Sequence, residues 1–178
     1  MAESSKFFPK TPLAKQGKTL TEVVMSLYDN LERYQALADS LSETQFYTPI
    51  QPGKWSPADI TDHLARANGL YLEALERGNG DREPLELPVG RLTEDGRMRA
   101  DVALPDAAGK SQAELLGALS AGVDRLVAVG RRADRTEKLR AICLTGGFFG
   151  PLTRLEVLGL ASVHLRHHAA QLPNGSFP

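Results

Sequence analysis

Four stretches of this chain repeat apolar residues at helical intervals, and that repeat commits most of it to packed helices. In the first, Leu20, Val23, Val24, Leu27, Leu31, Tyr34, Ala38 and Leu41 form the stripe, with a start at Thr19 or Thr21 and an end near residues 40–42. The second opens at Ser56-Pro57-Ala58-Asp59, where serine suits the N-cap, proline the first helical position and Asp59 the positive end of the helix dipole. Ile60, His63, Leu64, Ala67, Leu70, Tyr71 and Ala74 then share a face, and Gly78-Asn79-Gly80 is the stop signal. The third begins with the capping box Ser111 to Glu114 and carries Leu115, Leu116, Leu119, Val123, Leu126 and Val127. The fourth begins with a second box, Thr153 to Glu156, and runs to Leu172, where Pro173-Asn174-Gly175 ends it. The expected helices cover about 19–41, 56–78, 111–132 and 153–172. The fold class is all-α, a four-helix bundle.

Two connections are long, residues 79–110 and 133–151. Loops of that length in a compact domain are functional or disordered. Leu85, Leu87, Val89, Met98, Val102 and Leu104 give the first enough apolar character to pack on the bundle. With 178 residues the chain fits one domain, 1–178, able to bury a real core. Its net charge of −1 is not the basic surface that phosphate backbones demand, so nucleic acid is not an expected partner. No apolar run approaches the ~20 residues of a membrane span, which argues against a membrane partner. The N-terminus carries no secretory signature, and one cysteine, Cys143, suits the reducing cytoplasm.

The chain's 4 histidines all fall in the second and fourth stretches. His164 and His168, four residues apart, sit one turn apart on one helix face, the spacing with which one helix offers two nitrogens to one metal ion. On a wheel of about 100° per residue, Val157, Leu160, Ala161 and Gln171 lie within about 60° of His164, while Gly159, Ser162 and Arg166 lie opposite. His63 falls among Ile60, Ala67, Leu70 and Ala74. All three imidazoles therefore face inward, where an unpartnered polar ring is costly. Either each finds a hydrogen-bonding neighbour, or one divalent ion takes His63, His164 and His168 together.

The metal reading constrains the winding. His63 lies about 10 Å into the second helix, and the pair lies about 6–12 Å from the end of the fourth. These heights agree only if the two helices run antiparallel. That excludes up-down-up-down winding and points to up-down-down-up, with the long 79–110 connection crossing over between helices two and three.

The residues that carry this argument resemble the DinB/YfiT-like superfamily of metalloenzymes. Lys54-Trp55-Ser56 leads into Asp62-His63-Leu64, and Thr153 to Glu156 leads into His164-x-x-x-His168-x-x-Gln171. The resemblance runs from about Thr19 to Leu172. It implies a four-helix bundle, a divalent metal on His63, His164 and His168, and a homodimer. It also implies a small-molecule substrate and, in some members, a low-molecular-weight thiol cosubstrate in S-transfer to electrophiles during stress response or detoxification.

Three protein ligands leave an open coordination position, which marks a catalytic rather than a structural metal. Zinc or nickel suits three imidazoles, and iron tolerates them. The residues allow a small thiol activated by the ion to attack an electrophile, and the resemblance makes this S-transfer the expected reaction; alternatively, activated water would make the protein a hydrolase. A non-catalytic metal-binding bundle with a role in stress is the third reading.

Other residues carry two readings each. Asp59 could orient a ligand or act as a base, or simply complement the helix dipole. Gln171 could reach substrate or lie at a frayed helix end. His167, about a quarter turn from the pair, reads as a pocket or surface residue. Trp55 reads as a hydrophobic staple or a lid. Cys143 could be a reactive thiol, though a small, partly buried loop residue is the simpler account. Gly146 to Gly150 lacks P-loop spacing, and its two phenylalanines read as cover for the bundle or a dimer partner. Arg131, Arg132 and Arg135 read as partners of the third helix's C-terminal dipole.

Overall fold

The computed structural model of the chain describes residues 7–77, 82–92, 98–99 and 102–175. Its elements in chain order are α1 (Thr11–Ala14), α2 (Leu20–Asp39), α3 (Glu43–Tyr47), α4 (Pro57–Arg77), β1 (Leu85–Val89), β2 (Arg91–Leu92), β3 (Met98–Arg99), α5 (Gln112–Arg135), β4 (Ile142–Gly147), β5 (Leu152–Thr153) and α6 (Arg154–Ala169). The long helices α2, α4, α5 and α6 make the bundle, and α2, α5 and α6 each start at a complete capping box. Thr19 caps α2, with Glu22 answering from the third position. α5 runs through Arg135, so Arg132 and Arg135 stand in its last turn. The expected stop at Gly78-Asn79-Gly80 lies outside the described residues, as does the side chain of Met98.

The core is one cluster of buried apolar side chains drawn from all four helices, with Leu27, Tyr34, Leu75, Leu119, Val123, Leu126, Val157 and Leu158 essentially without solvent contact. α4 packs chiefly on α5, and α2 on α6. Arg154 at the start of α6 reaches Leu75 O near the end of α4, while His164, towards the other end of α6, meets His63 in the first half of α4. Lys110 and Gly122 of the α5 side lie against Asp62 and Asn68 of α4, in the same order. Gln112 bonds Ala38 O, and Tyr28 bonds Asp124.

The chain is not purely helical. A three-stranded sheet in the order β1-β4-β5 and an antiparallel β2-β3 pair lie in the two long connections and at the entry to α6. β1 pairs parallel with β4, and β4 antiparallel with β5. Gly146 permits the β1–β4 pairing: its φ is +77°, and a Cβ there would lie 1.9 Å from Leu87 O. This pattern was hidden by strands too short to establish a period of two. Leu85 and Leu87 pack on the core as their composition suggests, but Val89 and Leu104 are exposed. Cys143 lies in β4 rather than a loop and is fully buried.

The wheel assigned Gly159 and Ser162 to the face away from the bundle, yet both are buried. The reason is α1, which with α2 covers that side of α6. Leu13 O and Gln16 lie against Gly159, at ordinary contact distance from where a Cβ would stand. Ser162 Oγ joins Ser26, Asn30 and Gln16 in a buried hydrogen-bond network at 2.7–3.0 Å. No helix among the described residues is long and apolar enough to cross a membrane.

Candidate metal centre

α4 and α6 bring three imidazoles to one point. His164 Nε2 stands 3.1 Å from His63 Nε2 and 3.0 Å from His168 Nε2. Ring centroids are 4.7–5.0 Å apart, and one nitrogen from each ring lies within 4.8 Å of the others. His63 and His168 are buried, and His164 is half-buried.

The outer nitrogens decide what the inner ones can do. His63 Nδ1 lies 2.7 Å from Ala103 O, and a carbonyl can only accept, so the proton of neutral His63 sits on Nδ1. His168 Nδ1 donates to Gln171 Oε1 at 2.9 Å, while the amide nitrogen of Gln171 donates to His167 Nε2 at 3.1 Å. Both His63 and His168 therefore present Nε2 lone pairs to His164 Nε2. That atom carries at most one proton and can answer one of them. Protonating the cluster is not the remedy. Burial, followed by the neighbouring rings, holds His164 far below the ordinary histidine range and pushes His168 down to about 3. Burial also lowers His63, although the Ala103 carbonyl opposes it.

A divalent cation fits this donor set. Three neutral nitrogens converge with outer N–H groups anchored, which is how histidine ligands are oriented. Tetrahedral zinc, about 2.0–2.1 Å from each nitrogen, sets them about 3.3 Å apart, a few tenths wider than the two short separations here.

Around this point Trp55, a residue 37% exposed, covers His63 at a centroid distance of 4.8 Å and stacks near His168 at 6.4 Å. Trp55 thus packs against two of the three rings while remaining partly exposed. Tyr71 puts its hydroxyl 3.3 Å from His164 Nδ1. Asp59 is engaged in the α4 cap: its Oδ2 accepts from Ser56 N at 3.0 Å and Ser56 Oγ at 2.7 Å, and Ser56 Oγ accepts from Asp59 N. Gln171 bridges His168 and the exposed His167. Burial pushes the Cys143 thiol up to about 12. A separate surface cleft of about 400 Å³ is lined by Lys18, Leu20, Asp134, Arg140 and Leu155.

Two contributors were not singled out from sequence. The Ala103 carbonyl is a backbone atom and leaves no residue signature. Asp62 stands out in the sequence only as the neighbour of His63. Its carboxylate is buried, with Lys110 Nζ at 2.6 Å, the Asp106 N–H at 2.7 Å and Arg66 Nε at 2.7 Å. Burial alone would raise its carboxyl, but these donors outweigh it and hold the group below 3.8. An acidic residue immediately before a candidate ligand, about 100° from it on the wheel, was the available signal.

A helical bundle with three inward histidines on two of its helices defines a class of metal-binding bundles. The DinB superfamily model matches residues 26–172, and the chain belongs to that superfamily. Among solved structures it is similar to YfiT from Bacillus subtilis, described as a probable metal-dependent hydrolase with an unusual four-helix bundle topology. The TM-score is 0.65 at 16% identity, covering 86% of this chain and 83% of that one, which places the fold in the same YfiT-like four-helix bundle. No curated protein matches the sequence.

Proposed function

We propose that His63, His164 and His168 bind one divalent ion, zinc or nickel in preference to iron, and that the chain is a metal-dependent enzyme acting on a small molecule, with hydrolysis as the leading reaction. The observation that carries this is the convergence of two fixed Nε2 lone pairs on His164 Nε2, which leaves a need that a cation meets. The description of YfiT supports the choice of hydrolysis. An ion held by three protein ligands supplies Lewis acidity and activates a nucleophile near neutral pH. The chain's own groups do the rest. The Ala103 carbonyl and Gln171 hold two rings in the required tautomer, Trp55 packs against the same two, and the Tyr71 hydroxyl braces His164.

Transfer of a small thiol to an electrophile, in detoxification or stress response, is the second reading. Neutral imidazole ligands leave the ion's whole charge to stabilise a thiolate as readily as a hydroxide, and the buried Cys143 leaves the thiol to come from solution. The same reading includes one domain, a cytoplasmic homodimer and up-down-down-up winding with the crossover between α4 and α5. The winding is supported by Arg154 meeting Leu75 while His164 meets His63.

The test is turnover by zinc-loaded and nickel-loaded protein, without an affinity tag, on a panel of esters, amides and a chlorinated aromatic, with and without a small thiol. Cleavage without thiol supports hydrolysis, and strict thiol dependence supports transfer. No turnover in either arm, with the metal's coordination filled by protein, supports the non-catalytic stress bundle. Sedimentation equilibrium tests the dimer.

A further inference from the structure

Asp62 and His63 grip one stretch of the crossover from two sides. His63 Nδ1 donates to Ala103 O at 2.7 Å. Three residues further along, the Asp106 N–H donates to Asp62 Oδ2 at 2.7 Å, and Lys110 Nζ reaches Asp62 Oδ1 at 2.6 Å. Arg66, one turn along α4, spans Asp62 Oδ2 at 2.7 Å and Asp106 Oδ2 at 3.1 Å. The Asp62 side chain is 6% exposed, so its charge depends on these partners. Tyr47 adds a further tie, donating its hydroxyl to Lys110 O at 2.7 Å.

Ala103 itself has φ +52°, the left-handed region that a residue with a Cβ avoids. Such a conformation persists where the surroundings over-determine it. Here the surroundings are the Asp62 contacts on one side and the His63 ring on the other. The strained residue is the one whose carbonyl sets the His63 tautomer.

We infer that Asp62 is a positioning residue for the metal centre: by clamping residues 103–110 to α4 it keeps the Ala103 carbonyl on His63 Nδ1 and so presents His63 Nε2 to the common point. The inference rests on the metal reading above for its effect on affinity. Its effect on the His63 tautomer needs no metal. Asp62 makes no hydrogen bond to the three inner nitrogens, so its positioning influence passes through the crossover, beside the direct attraction of its charge for His63.

The experiment compares the full chain with Asp62→Asn. Histidine-labelled, metal-free protein is read by long-range ¹⁵N–¹H correlation, and zinc affinity by chelator competition. The parent shows His63 as a single Nδ1–H tautomer; Asp62→Asn shows a mixture. The zinc Kd rises about 10- to 100-fold, the range seen when the partners that orient a ligand are removed. The same substitution in a His63→Ala background leaves the Kd unchanged, because the clamp acts through His63 alone. An equal loss in both backgrounds marks a merely structural residue and overturns the inference. So does a parent-like tautomer and Kd in Asp62→Asn. Should that variant not fold, Lys110→Met removes the 2.6 Å partner from a partly exposed position. It is expected to raise the Kd about 10-fold, and an unchanged Kd again overturns the inference. If the parent binds no zinc, the metal reading falls, and the tautomer alone decides the clamp: mixed in Asp62→Asn sustains it, unchanged overturns it.

Discussion

His164 is the hub of the candidate centre, because its Nε2 is the atom that both other rings approach, at 3.1 and 3.0 Å. Zinc should therefore stabilise the parent and fail to stabilise His164→Ala. An ion that binds only the folded chain adds RT ln(1 + [L]/Kd), about 2.7 kcal/mol when free zinc exceeds the Kd about 100-fold. Unfolding entropy is about 2.1 cal/mol/K per residue, or about 0.37 kcal/mol/K for 178 residues, so the parent Tm rises about 7 °C. Loss of a direct ligand should weaken binding at least as much as the ~100-fold that loss of an orienting partner can reach. At the same zinc concentration [L]/Kd then falls to about 1, the added stability to about 0.4 kcal/mol and the Tm rise to about 1 °C. The assay is differential scanning calorimetry on chelator-treated, untagged protein, with each variant compared with its own metal-free state. That comparison cancels any packing cost of removing the ring. His167→Ala removes an exposed ring that packs edge-on against His168 and bonds Gln171 but offers no nitrogen to the common point, so this variant should keep most of the rise. A His164→Ala protein that gains as much from zinc as the parent would refute the convergence argument, and so would a parent that gains nothing.

Three further outcomes follow from the same structure. Cys143, fully buried with its thiol pushed up to about 12, should stay unmodified by a thiol reagent in the folded protein at pH 8 and react stoichiometrically in denaturant; fast native labelling would contradict its burial. Gly146→Ala should destabilise by at least about 2 kcal/mol, read as a lower urea midpoint, because the new Cβ combines a left-handed backbone with a clash against Leu87 O. Burial alone would raise the Glu156 carboxyl, but the Thr153 N–H at 2.8 Å and Lys10 at 3.1 Å hold it below 4.5. Its stabilising contribution is thus present above about pH 4.5 and lost as pH falls through the lower folded value, so Glu156→Gln should flatten part of the acid limb of a stability–pH curve.

Much of the helical framework was legible because it rests on local chemistry. Thr19, Ser111 and Thr153 each cap a helix with a glutamate three residues on, and both partners of each box are neighbours in sequence. The apolar stripes of α2, α4 and α5 are equally local. α6 was harder. Its stripe was real, but α1 covers the opposite side, and nothing in α6 itself announces a four-residue helix some 140 positions earlier in the chain. The β1–β4 pairing depends on Gly146 meeting Leu87, two positions separated by the whole of α5. Strands of 5 and 6 residues, one of them interrupted by proline at position 88, give too few alternations to register as strands.

The site divides along the same line. The three rings could be brought to one face each from spacing because each belongs to a helix whose face was already assigned, and one nitrogen from each lies within 4.8 Å of the others. What holds the rings could not be placed. The acceptor for His63 is a carbonyl on a non-glycine residue in the left-handed region, a conformation that follows from Asp62, Arg66, Asp106 and Lys110 acting together rather than from the identity of Ala103. Asp59 shows the converse. Its position one turn before His63 suggested a role with that ring, but the nearer Ser56 N–H and hydroxyl claim its carboxylate. Asp62, adjacent to His63, points elsewhere on the wheel and acts on the ring through the crossover it restrains. Spacing along a helix identifies which side chains share a direction; which of them share an interaction is settled by the nearest competing donors, and in this chain the decisive ones arrive from the segment between the helices.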